Sequence, residues 1–148
     1  MNTIVYRIVY CSRNHISGTP QEIEAEIQLI LTSSRKNNAS AGVTGALLFN
    51  QGLFAQVLEG SLEAVERIFE RIQRDPRHSD VTVLENGTAE HRNFPEWSMA
   101  FAAPESESAF GFGIPAFNAA LSNPSAAAEQ VLKLLREVVV QEDWMMPS

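Results

Sequence analysis

The sequence has a single cysteine, no cluster of basic residues and no long hydrophobic run. Cys11 cannot form a disulfide within the chain, which is typical of an intracellular protein. With 11 basic and 18 acidic residues, the formal net charge is -7, which argues against a nucleic-acid-binding surface because phosphate contacts need clustered Lys and Arg. No signal-peptide pattern and no stretch of membrane-spanning length is present. We therefore expect a cytoplasmic protein without a membrane or nucleic-acid partner.

Hydrophobic patterning predicts one α+β domain for most of the 148 residues. Segments rich in β-branched and aromatic residues predict strands, and apolar residues recurring every three or four positions predict helices between them. The order β-α-β-β-α-β-β matches a ferredoxin-like plait, with both helices on one face of a mainly antiparallel sheet. The predicted strands are 3–11, 43–49, 53–58, one beginning at Val81, and 97–101.

The first helix has clear predicted boundaries. Thr19 and Glu22 form a capping box, and Pro20 occupies the first helical position, where its missing N–H costs nothing. The apolar stripe ends before Asn37 and Asn38, which are predicted to close the helix. Ser61 is predicted to cap the second helix, which ends before residues 75–76.

The C-terminal segment predicts helices outside the plait. A linker-like stretch over 102–113 precedes a short predicted helix, Pro115–Leu121, and a longer one that begins at Asn123-Pro124 and runs towards Trp144. Because the plait leaves one sheet face bare, we expect these helices to cover it. The expected division is therefore a plait domain over 1–102 and a C-terminal segment over 103–148, for capping, oligomerisation or output.

A glutamine interrupts the most apolar strand, 53–58. Burying the amide of Gln56 costs a few kcal/mol unless its groups find hydrogen-bond partners. Tyr10 ends the first strand, and Asn37 and Asn38 end the first helix. Each residue taken singly is typical of a structural role. Because the first and third strands of a plait are adjacent, however, we expect Tyr10 and Gln56 to be neighbours beneath Asn38, which makes a site for a flat, hydrogen-bonding heterocycle.

Five segments in order resemble the BLUF domains, the sensors of blue light using flavin. The resemblance covers roughly Tyr6 to Phe101 and is far more specific than one short motif. The segments are Tyr6–Ser12, Asn37-Asn38 with Gly42–Gly45, Phe54–Gly60, Asp75–His78 and Arg92–Met99.

The resemblance implies that FAD binds non-covalently with its ring between the two helices. Ile30 and Ile72 would then wall the ring, and Asn38 would hydrogen-bond its pyrimidine edge. The further implied contacts are Asn37, Arg77 and His78.

The family's photochemistry maps onto Tyr10 and Gln56. An excited flavin is a strong oxidant, a phenol is readily oxidised, and an amide bridging the two can relay the accompanying proton. The amide is left rotated or tautomerised, and a new hydrogen bond shifts the absorption to the red. Trp97 and Met99 are the implied relay outward, with Met99 favoured as the nearer to Gln56.

The resemblance also implies how the signal leaves. Only a short segment follows Phe101, so we expect no catalytic output domain. The expected partners are further copies of the chain in a homo-oligomer and a separate effector protein.

Two alternatives use the same fold. One is a cofactor-free interaction module in which Tyr10 and Gln56 satisfy each other. The other is an acylphosphatase-like hydrolase built on Arg13 and Asn38, which lacks a glycine-rich phosphate cradle and a nucleophile–base pair. The histidines have no metal-ligand spacing, so no metal site is predicted; they are His15, His78 and His91.

Overall fold

The computed structural model describes residues 4–50, 53–76, 78–95, 99–102 and 122–142. The described elements follow the predicted order and confirm the ferredoxin-like plait, with one further helix after it. They are β1 (Val5–Asn14), α1 (Pro20–Ala41), β2 (Thr44–Asn50), β3 (Leu53–Gly60), α2 (Leu62–Arg74), β4 (His78–Ala89), β5 (Ala100–Ala102) and α3 (Pro124–Glu142). The predicted helix Pro115–Leu121 and the linker before it, from residue 103 on, lie outside the described residues.

The sheet has the strand order β4-β1-β3-β2-β5. β1 pairs antiparallel with both β3 and β4, β2 pairs antiparallel with β3, and β5 adds to β2 in parallel. β3 is therefore the central strand, and all eight of its residues are buried. In this register Tyr10 lies directly opposite Gln56.

Two hydrophobic cores lie on opposite faces of the sheet. Alternation along β1 sends Ile8 and Tyr10 towards α1 and α2, and Val9 and Cys11 towards α3. The α3 core is closed by four buried helix side chains, Ala128, Val131, Leu132 and Leu135. The predicted covering of the second sheet face is thus confirmed for α3.

α1 begins where the sequence predicts and ends later. Thr19 caps it with the complete capping box, and Pro20 is its first residue. The predicted end at Asn37-Asn38 is wrong, because the helix continues to Ala41 and Gly42 caps it in the left-handed conformation at φ 72°. Asn38 is instead a buried residue inside the helix.

Several strand boundaries also differ from prediction. β1 continues through polar residues to Asn14, and β4 begins already at His78, because Asn14 and His78 pair with each other. β5 begins at Ala100, and Trp97, its predicted first residue, lies outside the described residues. Pairing with a neighbouring strand extends these elements beyond their hydrophobic segments.

Within the ranges that the structure describes, no helix is both long enough and apolar enough to cross a bilayer.

Candidate functional site

A hydrogen bond joins the phenol of Tyr10 to the amide of Gln56 in the core beneath α1 and α2. The Tyr10 hydroxyl donates to Gln56 Oε1 across the β1–β3 pair. Tyr10 is completely buried and Gln56 is 4% exposed. The Tyr10 ring also packs on Phe69 of α2, with ring centroids 5.2 Å apart. These contacts fix the phenol against the amide oxygen.

The other end of the amide faces Met99. Gln56 Nε2 donates to Met99 Sδ at 3.4 Å, and the Met99 side chain is buried. The backbone carbonyl of Met99 in turn accepts a hydrogen bond from Arg35 Nε of α1 at 3.0 Å. Because a thioether is a weak acceptor, a stronger acceptor can replace the Met99 sulfur as the hydrogen-bond partner of the Gln56 amide N–H.

A cleft between α1 and α2 reaches Gln56 from the surface. Its α1 side is lined by four polar residues and Ile30, and its α2 side by two isoleucines and the charged pair Arg71 and Asp75. The lining residues are Ile30, Ser33, Ser34, Asn37, Asn38, Gln56, Ile68, Arg71, Ile72 and Asp75. The cleft therefore has isoleucines in both of its walls and amides on its α1 side and at Gln56.

Burial determines the protonation of the site. It raises the pKa of Tyr10 well above 10.0, and the negative charge of Asp75 raises that pKa further, as does Cys11 once its thiol is ionised. Burial also lowers the pKa of Arg35 from its ordinary value. The phenol is therefore held in its neutral, hydrogen-bond-donating form over the whole physiological range.

The structure brings most of the sequence-predicted residues together. Five of them line the cleft: Ile30, Asn37, Asn38, Gln56 and Ile72. Tyr10 and Met99 contact Gln56 at the inner end of the cleft. Arg77 and Trp97 lie outside the described residues, and for His78 the backbone alone is described.

Sequence reasoning missed several cleft residues that helical spacing identifies. On α2 and its cap, Ile68 is followed by Arg71 and Ile72 three and four positions later and by Asp75 seven positions later, which places all four on one face. On α1, Ser33 and Ser34 lie three and four positions after Ile30. Arg35 and its bond to Met99 had no such signal, since the two residues are 64 positions apart.

Within the part of the chain that the structure describes, no three His, Cys, Asp or Glu side chains lie close enough to hold an ion.

Comparison with known proteins identifies the family of this chain. The family model described as sensors of blue-light using FAD matches residues 5–100. Photoactivated adenylate cyclase subunit beta of Euglena gracilis is 38% identical over 81 residues, which are 54% of this chain and 9% of that protein. The chain thus matches only about a tenth of the length of that curated relative.

Solved structures agree as well. BlsA in its ground state is 30% identical, with a TM-score of 0.74 over 89% of this chain and 87% of that chain. Klebsiella pneumoniae BlrP1, solved with FMN and cyclic diGMP, is 34% identical, with a TM-score of 0.60 over 67% of this chain and 26% of that chain.

The plait, the amide-lined cleft and the family match over residues 5–100 together define a flavin-binding sensor domain. The chain belongs to the BLUF family.

The residues present fit a flavin ring. Isoleucine walls suit its two faces, and the amides of Asn37, Asn38 and Gln56 suit its polar edge.

Proposed function

We propose that this chain is a blue-light sensor that binds FAD non-covalently between α1 and α2 and signals by rearranging the hydrogen bonds of Gln56. The observation that carries the proposal is the position of the Gln56 amide, buried between the Tyr10 hydroxyl and the Met99 sulfur at the end of the cleft. Both of its ends have partners, and one of these, a thioether, is weak.

In this proposal the flavin ring lies between Ile30 and Ile72. Asn38 hydrogen-bonds its pyrimidine edge, with Asn37 nearby, and Arg77 and His78 contact that edge or the ribityl chain. The lining of the cleft supports the first four of these roles. FAD is proposed because the family is described as using it, and FMN, which BlrP1 was solved with, is the alternative ligand.

Tyr10 and Gln56 supply the photochemistry in this proposal. A bound flavin supplies, on illumination, a strong one-electron oxidant. Tyr10 is the side chain that gives up an electron, and its phenolic proton has Gln56 Oε1 as acceptor. Burial opposes both a charged phenolate and a charged phenol radical cation, so the electron and the proton leave Tyr10 together. Both then return to Tyr10, and the Gln56 amide, left rotated or tautomerised, has exchanged its bond to Met99 for a stronger one.

The output in this proposal passes through Met99 and Trp97 to further copies of the chain and to a separate effector protein. The contact of Met99 with Gln56 supports its part. The proposed sensor domain is 1–102, and 103–148 serves capping, oligomerisation or output. A cytoplasmic location also stays a prediction.

The test is an absorption spectrum of the purified protein before and after blue illumination, followed through recovery in the dark. The wild type is expected to show a flavin spectrum and a reversible red shift. Gln56→Leu is expected to retain flavin and lose the shift, because leucine has the volume of glutamine without its amide. Tyr10→Phe is expected to behave likewise. A normal shift in Gln56→Leu would refute the mechanism.

The alternatives predict different spectra. A cofactor-free module is colourless and indifferent to added FAD, FMN or riboflavin. The hydrolase alternative has little support in the geometry, because Arg13 is ion-paired with Asp80 at 3.0 Å and Asn38 lines the cleft.

A further inference from the structure

A carboxylate that the proposed photochemistry does not use is completely buried near the end of β3. Glu59 is 0% exposed. Its Oε2 accepts from Arg7 Nε at 3.0 Å, and its two oxygens accept from the backbone N–H of Asn93 at 2.8 Å each. Oε1 also accepts from the N–H of Phe94 at 3.0 Å. A buried charge with so many donors is a fixed attachment point.

The Glu59 attachment holds the segment that follows β4, residues 91–95, against the sheet. Arg7 Nη2 donates to the His91 carbonyl at 3.3 Å, and Arg92 Nη1 donates to Thr44 Oγ1 at 2.9 Å. We name residues 91–95 the return segment. Its position is therefore set by β1, β2 and β3 together.

The return segment contacts α3. Phe94 is buried in the α3 core beside Val131 and Leu135. Arg136 of α3 also donates to Asn93 Oδ1 at 3.2 Å. The two residues whose N–H groups Glu59 binds are thus the ones that touch α3.

The return segment lies a few residues before Met99, which contacts Gln56 on the opposite face of the sheet. Gln56 and Glu59 are three positions apart on β3, so their side chains point to opposite faces. Met99 belongs to the core under α1 and α2, and Phe94 to the core under α3. Gln56 and Glu59 thus face opposite cores, and the residues that they contact, Met99 and Phe94, are five positions apart in the sequence.

We propose that Glu59 is a positioning residue that couples the hydrogen-bond state of Gln56 to α3 by fixing the return segment. The inference rests on the proposed function. Because Glu59 ties Asn93 and Phe94 to the strand that carries Gln56, a shift of β3 reaches α3 through these two residues. Without the carboxylate, the return segment yields and α3 does not respond.

The test is hydrogen–deuterium exchange of α3 peptides in the dark and under continuous blue light, in the full chain reconstituted with flavin. The wild type is expected to show a light-to-dark ratio of α3 exchange rates that differs from one by about twofold or more. Glu59→Gln, which keeps the shape and removes the charge, is expected to keep the red shift and lose the α3 difference. A merely structural role would lower stability without separating the two readouts.

Glu63→Gln is the matched control. It makes the same charge change on the exposed surface of α2, where Glu63 pairs with Arg67, and is expected to behave as wild type. If Glu59→Gln does not fold, Arg136→Met replaces it: this variant removes the exposed contact with Asn93 and is expected to keep the red shift and diminish the α3 difference.

If a folded Glu59→Gln or Arg136→Met variant shows the same light-to-dark change in α3 exchange as the wild type, the inference is overturned and the proposed function is left intact. A wild type with a red shift and no α3 difference has the same consequence. A wild type with no red shift overturns the proposed function itself.

Discussion

Two acidic protons are buried on consecutive residues of β1, one on each face of the sheet. Tyr10 faces the cleft side, and Cys11 faces α3. Burial raises the pKa of the Cys11 thiol from 9.0 to about 12, and it raises the pKa of Tyr10 well above 10.0. In both cases the folded protein keeps a proton that the unfolded chain releases at lower pH.

Alkaline stability is therefore predicted to depend on Cys11. Between pH 9 and 12 the unfolded thiol loses its proton and the folded one keeps it, so the free energy of unfolding falls by up to about 1.4 kcal/mol per pH unit. Tyr10 adds a second fall above pH 10. Urea denaturation from pH 7 to 11 is expected to give a shallower decline above pH 9 for Cys11→Ala, even though the smaller side chain lowers stability at pH 7. Parallel declines would contradict the assignment.

Gly45 is predicted to tolerate no side chain. A Cβ built on it would lie 2.0 Å from the Val57 carbonyl oxygen, a backbone atom of the central strand. Gly45→Ala is expected to lower the free energy of unfolding by at least about 1–3 kcal/mol, as overpacking does. Gly60→Ala is the comparison, because the nearest atom to its Cβ is a Val43 methyl carbon at 3.1 Å, and a smaller loss is expected. Equal losses in urea denaturation would contradict the clash.

The residues that sequence reasoning found and missed differ in where their partners lie. Gln56 was identified because an amide in an apolar strand needs a partner wherever that partner comes from. Glu59, three residues later, follows the apolar run, where a charged residue is ordinary and does not indicate burial. Its burial depends on the backbone of Asn93 and Phe94, 34 and 35 positions away. The first signal is local and the second exists only in the folded chain.

Helices and strands show the same division between local and distant determinants. The start of α1 was predictable because its capping box lies within four residues. Its end was not, because Asn38 stays helical as a buried residue facing the cleft and Gly42 provides the left-handed cap. β1 and β4 exceed their hydrophobic segments because pairing between Asn14 and His78 extends them.

α3 is predicted to be part of the folded core rather than a detachable arm. Leu135 is completely buried against the sheet, so Leu135→Ala is expected to cost about 2–5 kcal/mol in the free energy of unfolding. Leu29→Ala is the control, because Leu29 is 62% exposed on α1 and its truncation should cost less than about 0.5 kcal/mol. Thermal or urea denaturation measures both. Similar small losses would show that α3 leaves the sheet in solution.

The molecule as a whole has one sheet with a different layer on each face. Among the described residues, α3 covers one face with an apolar contact in which Phe94 of the return segment takes part. The other face is covered by α1 and α2 with the cleft between them, and that cleft reaches the central strand at Gln56. A ligand in the cleft therefore contacts both helices and the sheet, and it joins elements that otherwise share a narrow, partly polar boundary.

Flavin is accordingly predicted to stabilise the entire domain. A ligand that binds only the folded state adds about 2.7 kcal/mol at a hundred times its Kd, which for a domain of this size corresponds to a rise in Tm of about 5–11 °C. Thermal denaturation of flavin-free protein with added FAD, FMN or riboflavin measures this rise and ranks the three ligands. Asn38→Ala is expected to reduce the rise because it removes an amide from the cleft, whereas Leu29→Ala is expected to leave it unchanged. If no flavin raises the Tm of the wild type, the cleft between α1 and α2 is not a flavin site. An equal rise in Asn38→Ala would instead remove Asn38 from that site.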